Sequence, residues 1–125
     1  DMSGIYKPSE WGKTVCDEYV SSRINRVIAE TNQGGEMVES ILTNIIQSIP
    51  VTKVHAKIGK SLRADPVAAL YERGLVHHVG LFEKLEEEMT DWDGSGASPN
   101  RLDALVYSLL ALSNDPIIKP AKFNF

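Results

Sequence analysis

Cysteine is almost missing: Cys16 is the only one in 125 residues. A single thiol excludes an internal disulfide framework and any multi-cysteine zinc knuckle. No apolar run approaches the roughly 20 residues that cross a bilayer, and no basic segment followed by an apolar one opens the chain. Neither a membrane span nor a secretory signal is therefore expected. Positive charge is also in short supply, with 13 Lys+Arg against 17 Asp+Glu and a net charge of −4. A stand-alone nucleic-acid binder has the opposite balance. Repeats and low-complexity tracts are absent as well. What is present is the usage of an ordinary folded domain, with 42% hydrophobic and 24% charged residues, at a length that suits one domain with a modest core. The first residue is Asp1 rather than methionine, which leads us to expect a fragment or a processed product.

The charge is unevenly distributed. Residues 1–50 hold 7 acids and 4 bases, 51–75 hold 2 and 5, 76–98 hold 6 and 1, and 99–125 hold 2 and 3. Only the second block is basic, and its Lys53, Lys57, Lys60, Arg63 and Arg73 could meet a phosphate backbone, with Lys57, Lys60 and Arg63, after the second strand, the candidates for contact and a solvated loop the alternative. The acidic block reads mostly as a solvated face.

Pro8 suits a helical first turn, and Trp11, Val15 and Tyr19 recur at four-residue spacing, so a helix is expected from about Pro8 to Val20. Residues 26–30 are short, β-branched and apolar until Glu30, the pattern of a buried strand that delivers a carboxylate at its C-terminal edge. A polar, glycine-bearing turn covers 31–35. Met37, Val38, Ile41, Leu42, Ile45, Ile46 and Ile49 then mark the clearest helix, stopped by Pro50. Residues 51–55 read as a second strand. The order strand, helix, strand predicts a parallel α/β arrangement. A further helix is expected to end near Gly74, with Pro66 able to split it. Residues 75–79 read as a strand, residues around Leu81, Leu85 and Met89 as a short acidic helix, and Asp91 to Ser98 as a loop. Ser98 offers an N-cap and Pro99 a first-turn residue for a last helix, whose buried face carries Leu102, Leu105, Val106, Leu109 and Leu112. The tail from Asp115 is not helical in pattern.

Several apparent motifs fail on spacing. Gly12-Lys13-Thr14 and Gly59-Lys60-Ser61 end like a phosphate loop, but the first glycine such a loop requires would fall at Lys7 and Val54. Asp91, Asp93, Ser95 and Gly96 mimic the start of a calcium loop whose twelfth position should be acidic and is Leu102. His77-His78 lacks a second ligand pair at metal spacing. Cys16 sits on an amphipathic helix and reads as a buried thiol, and Tyr107 as core. Two acids stand out instead. Glu30 ends an apolar strand, and Asp103 lies in the first turn of an apolar helix. A carboxylate so placed is costly unless it meets a cation or a metal. The alternative is local: Glu30 caps the following turn, and Asp103 favours the helix dipole.

In order along the chain, the stretches 6–11 (YKPSEW), 27–35 (VIAETNQGG), 63–72 (RADPVAALYE), 76–80 (VHHVG) and 98–106 (SPNRLDALV) resemble the C-terminal nuclease domain of tailed-phage large terminases. The matches cover most of residues 1–112. The resemblance implies the C-terminal portion of a ribonuclease-H-like fold, with short parallel strands and flanking helices over residues 1–114 and a tail over 115–125. It implies a metal-dependent endonuclease that cuts concatemeric DNA during genome packaging, in the cytoplasm of the phage's host. Its partners would be double-stranded DNA, the terminase ATPase domain, and the portal or small terminase subunit.

The family's active site uses three acids. Glu30 matches the one that ends the fourth strand and Asp103 the one on the last helix. The first acid has no match here and belongs to a strand expected before Asp1. Two Mg²⁺ or Mn²⁺ ions roughly 4 Å apart require such converging carboxylates to balance their charge. Asn100, one turn before Asp103, stands where relatives often carry Asp or His. It can offer a metal a carbonyl oxygen but no charge. The competing expectation is a non-catalytic prophage remnant or an interaction module that docks to the portal or to another terminase subunit.

Overall fold

The computed structural model describes residues 1–31, 35–54, 60–96 and 99–113. Contacts divide the chain into two compact units, one over Met2–Lys57 and the other over Ile58–Phe125 together with Asp1.

The first unit contains helix α1 (Pro8–Ser21), strand β1 (Val27–Glu30), helix α2 (Gly35–Ile45) and strand β2 (Val51–Val54). Pro8 opens α1, and the Glu10 carboxylate reaches back to accept the Lys7 backbone N–H at 2.9 Å, satisfying a donor at the helix start. The helix ends on Arg23, whose φ of 51° is left-handed, with the Ile24 N–H closing on the Tyr19 carbonyl at 3.0 Å. The strands pair in parallel with Val27 opposite Val51 and Glu30 opposite Val54. As the strand–helix–strand order predicts, α2 makes the crossover between them. Cys16, Leu42 and Ile49 form the buried centre, with Trp11, Val15, Tyr19, Val27, Val38, Ile46 and Val51 packed around it. The helix expected to reach Pro50 stops at Ile45. Ile46 and Ile49 continue in turns, and Ile49 still enters the core.

The second unit contains α3 (Lys60–Glu72), α4 (Glu83–Asp91) and α5 (Asn100–Ser113). Val67, Leu102 and Val106 are its buried centre, flanked by Ala64, Tyr71, Met89, Trp92, Leu109 and Leu110. Pro66 does not split α3. It lies inside one continuous helix, whose next residue, Val67, is anchored in the core. At the end of α3, Gly74 takes φ +65° and the Leu75 N–H bonds the Leu70 carbonyl at 2.9 Å, as expected of a glycine-terminated helix.

The strand expected at 75–79 is not formed. The segment runs without regular pairing, with Val79 93% exposed and Leu75 57% exposed. Its β-branched composition suits a strand, but among the described residues no strand lies beside it, and a lone extended segment has no ladder in which to place its N–H and C=O groups. It is held by His78 instead, as described below.

Candidate functional site

Glu30 is the last residue of β1 and is exposed, so the strand does carry a carboxylate to its C-terminal end. The carboxyl ends of parallel strands are where open α/β sheets place ligands. Its position is fixed from both sides. Ala29 is buried before it, and Thr31, only 4% exposed, follows it with its N–H on the Val54 carbonyl at 2.9 Å. The ladder thus continues one residue beyond Glu30. Glu39 of α2 and Lys53 of β2 form an ion pair in the same unit.

Asp103 sits in the first turn of α5, half-buried, with its N–H on the Pro99 carbonyl at 3.0 Å. Asn100 is exposed and three residues earlier, so the two side chains share one helix face. Tyr107 continues that face one turn on and is buried, as expected of a core tyrosine. Leu102 and Val106 point to the core, which sets the rotation of the helix and with it the direction of the 100/103 face.

Glu30 and Asp103 thus belong to different compact units. Lys57 lies outside the described residues. Lys60 and Arg63 fall in the first turn of α3, with side chains outside the described set, as is the tail 115–125. Ser98, the expected N-cap of α5, lies outside it too.

Two side-chain clusters escaped the sequence reading. Glu88 of α4 receives the backbone N–H groups of Arg101 at 2.9 Å and Leu102 at 3.1 Å on one oxygen, and the Arg101 guanidinium at 2.7 Å on the other. Desolvation pushes its pKa up, but the hydrogen bonds from the Arg101 side chain and from the two backbone N–H groups outweigh that and hold it below the ordinary value. Beside this clamp runs an open groove of about 530 Å³ lined by Lys84, Glu87, Glu88, Asp91, Trp92, Pro99 and Arg101. The partners are 13 and 14 residues apart, and nothing in the local pattern of an acidic helix distinguishes Glu88 from its solvated neighbours.

The second cluster is a chain of hydrogen bonds. His78 Nδ1 lies 2.9 Å from Glu86 Oε1, and His78 Nε2 lies 2.8 Å from the Tyr71 hydroxyl. A carboxylate only accepts, so Nδ1 carries the hydrogen, and a neutral ring leaves Nε2 to accept from Tyr71. The rings of Tyr71 and Phe82 meet the imidazole edge-on at 5.6 Å and 5.5 Å. The bond from His78 and the Phe82 N–H lower the Glu86 pKa, while burial and then the Glu86 charge raise that of Tyr71. The loop at 91–96 is closed by its own side chains. Asp93 accepts the N–H and hydroxyl of Ser95 at 2.9 and 2.7 Å, a local turn.

Carboxylate oxygens suit hard divalent cations, and an amide oxygen from Asn100 is a compatible neutral donor. In number the donors fall short of a two-ion centre: among the described residues, no group of three or more His, Cys, Asp or Glu side chains is placed to hold a metal.

The mixed α/β fold, with two parallel strands and flanking helices, is that of a ribonuclease-H-like domain. The family model described as "Terminase RNaseH-like domain" matches residues 7–112, and the chain belongs to that family. No curated protein and no solved structure matches it. Membership gives the chain a terminase nuclease-type role, with DNA as the family's partner, and among the described residues no helix is long and apolar enough to cross a membrane.

Proposed function

We propose that this chain is part of a divalent-metal-dependent endonuclease centre that cleaves concatemeric phage DNA during packaging, with Glu30 and Asp103 as two of its metal-ligating acids and Asn100 as a neutral donor beside Asp103. The observation that carries this reading is the family match over residues 7–112, with one acid at the carboxyl end of a parallel strand and the other on the last helix. When bound, Mg²⁺ or Mn²⁺ supplies Lewis acidity at the scissile phosphate and lowers the pKa of an attacking water. The role of the protein is to hold Glu30 at the sheet end through the Thr31–Val54 ladder and Asp103 at a set rotation through the Leu102/Val106 core. Lys57, Lys60 and Arg63 are the proposed phosphate contacts. In the intact system the centre would work beside the ATPase domain and with the portal or small subunit, in the host cytoplasm.

Two carboxylates bring −2 against +4 from two ions, so with these two acids alone the chain should bind one ion weakly. Nicking of supercoiled plasmid in Mn²⁺ tests this, with residues 1–125 compared against a version extended N-terminally by about 60 to 80 residues, the size of a three-stranded meander. Little cutting by the first and strong cutting by the second is expected, with Asp103→Asn abolishing the latter while the fold persists. Robust cutting by residues 1–125, or an active Asp103→Asn enzyme, would place the chemistry elsewhere. The competing reading, a non-catalytic docking module, draws on the shortage of clustered acids among the described residues. It is favoured if the extended protein binds a terminase subunit but never nicks DNA.

A further inference from the structure

Asp103 can serve a metal only if the first turn of α5 is held in place, and that turn has little local support. The residue before the helix is Pro99, whose side chain has no hydrogen-bonding group and whose carbonyl is engaged by the Asp103 N–H. The next N–H groups, of Arg101 and Leu102, have no intrahelical acceptor, as at any helix start. Both are taken by one oxygen of Glu88, a side chain only 18% exposed that belongs to a different helix. The second oxygen holds the guanidinium of Arg101, which also pairs with Asp1. Glu88 therefore acts as an N-cap supplied from α4. It fixes the two residues immediately before Asp103 and places a negative charge at the positive end of α5.

We propose that Glu88 is a positioning residue for Asp103, clamping the first turn of α5 so that the Asn100/Asp103 face is presented to a divalent ion in one orientation. This rests on the metal-ligand reading of Asp103 above. Glu88 touches neither ion nor DNA. Its effect comes through the backbone at 101 and 102, and through sharing with Asp1 the neutralisation of Arg101, whose positive charge two residues from Asp103 opposes a cation. Loss of a residue that orients a metal ligand commonly weakens binding about 10- to 100-fold.

The test is a Mn²⁺ titration of ¹⁵N-labelled residues 1–125, read by paramagnetic broadening and amide exchange. In the unaltered chain Mn²⁺ should broaden the amides of 100–104. Glu88→Ala should speed exchange at Arg101 and Leu102 and weaken Mn²⁺ binding at least about tenfold. Glu88→Gln keeps an acceptor oxygen but drops the charge, so it should restore part of the protection and still bind Mn²⁺ several-fold more weakly. It carries the comparison if the alanine variant does not fold. Met89→Ala, which thins the same helix–helix packing without touching the cap, should lower the melting midpoint and leave Mn²⁺ affinity unchanged. Unaltered affinity in the Glu88 variants, or an equal loss in Met89→Ala, overturns the positioning role. Asp103→Asn should remove the broadening and keep the protection at 101 and 102. If broadening at 100–104 is missing from the start, or survives Asp103→Asn, the metal reading itself has failed. The positioning role falls with it, while the exchange data still report whether Glu88 caps the helix.

Discussion

Gly12 lies inside α1 and is buried, where alanine would ordinarily be the better helix former by about 1 kcal/mol. Here an added methyl would overlap Cγ2 of Ile41 on α2. That carbon is a methyl carried directly on the branched Cβ of a stiff side chain rather than the end of a flexible one. Overpacking typically costs 1–3 kcal/mol, so the steric cost outweighs the propensity gain. Gly12→Ala is expected to lower the thermal midpoint, and combining it with Ile41→Ala should give less than the sum of the two losses. Additive losses would show that the α1–α2 spacing does not depend on this contact. Leu42 is fully buried in the same core, and Leu42→Ala should cost about 2–5 kcal/mol, read by denaturant unfolding with residues 8–54 exposed first to exchange.

At the scale of elements, residues 75–82 show a segment ordered by side chains in place of a ladder. The Tyr71–His78–Glu86 chain ties the loop to α3 behind it and α4 ahead of it. Because the pKa of Glu86 is depressed in the folded state, its contribution is complete above the ordinary glutamate value of about 4.3 and is lost as pH falls through the depressed folded value. The protection of the amides across 78–82, taken relative to an unprotected amide at the same pH, should therefore fall on acidification below about pH 4. Glu86→Gln should raise exchange at neutral pH and flatten the acid limb. An acid limb as steep in Glu86→Gln as in the unaltered chain would assign the loosening to another group. Gly74 ends α3 at φ +65° with open space around a Cβ, so Gly74→Ala is opposed by backbone strain alone, about 1 kcal/mol.

For the whole molecule, the sequence marked the helical segments and three strand segments, of which the first two pair in parallel. Four-residue periodicity and the Pro8 and Pro99 helix starts are local properties, fixed by backbone sterics and by which side chains fall on one face, whereas α2 ends at Ile45, short of Pro50. The sequence also marked Glu30 and Asp103, because a charged residue inside an apolar frame is conspicuous without knowledge of the fold. The tertiary structure alone decided the rest. Residues 75–79 have the composition of a strand, but a strand exists only when a neighbour accepts its hydrogen bonds, and no local pattern contains that neighbour. Pro66 reads as a breaker, yet burial of Val67 beside it keeps α3 continuous. Glu88 is one of three consecutive glutamates, and only the approach of α4 to the start of α5 turns it from a solvated charge into the cap of the helix that bears Asp103. Hydrogen bonds act over about 3 Å whatever the distance along the chain, so a partner 13 residues away is invisible until the helices have packed.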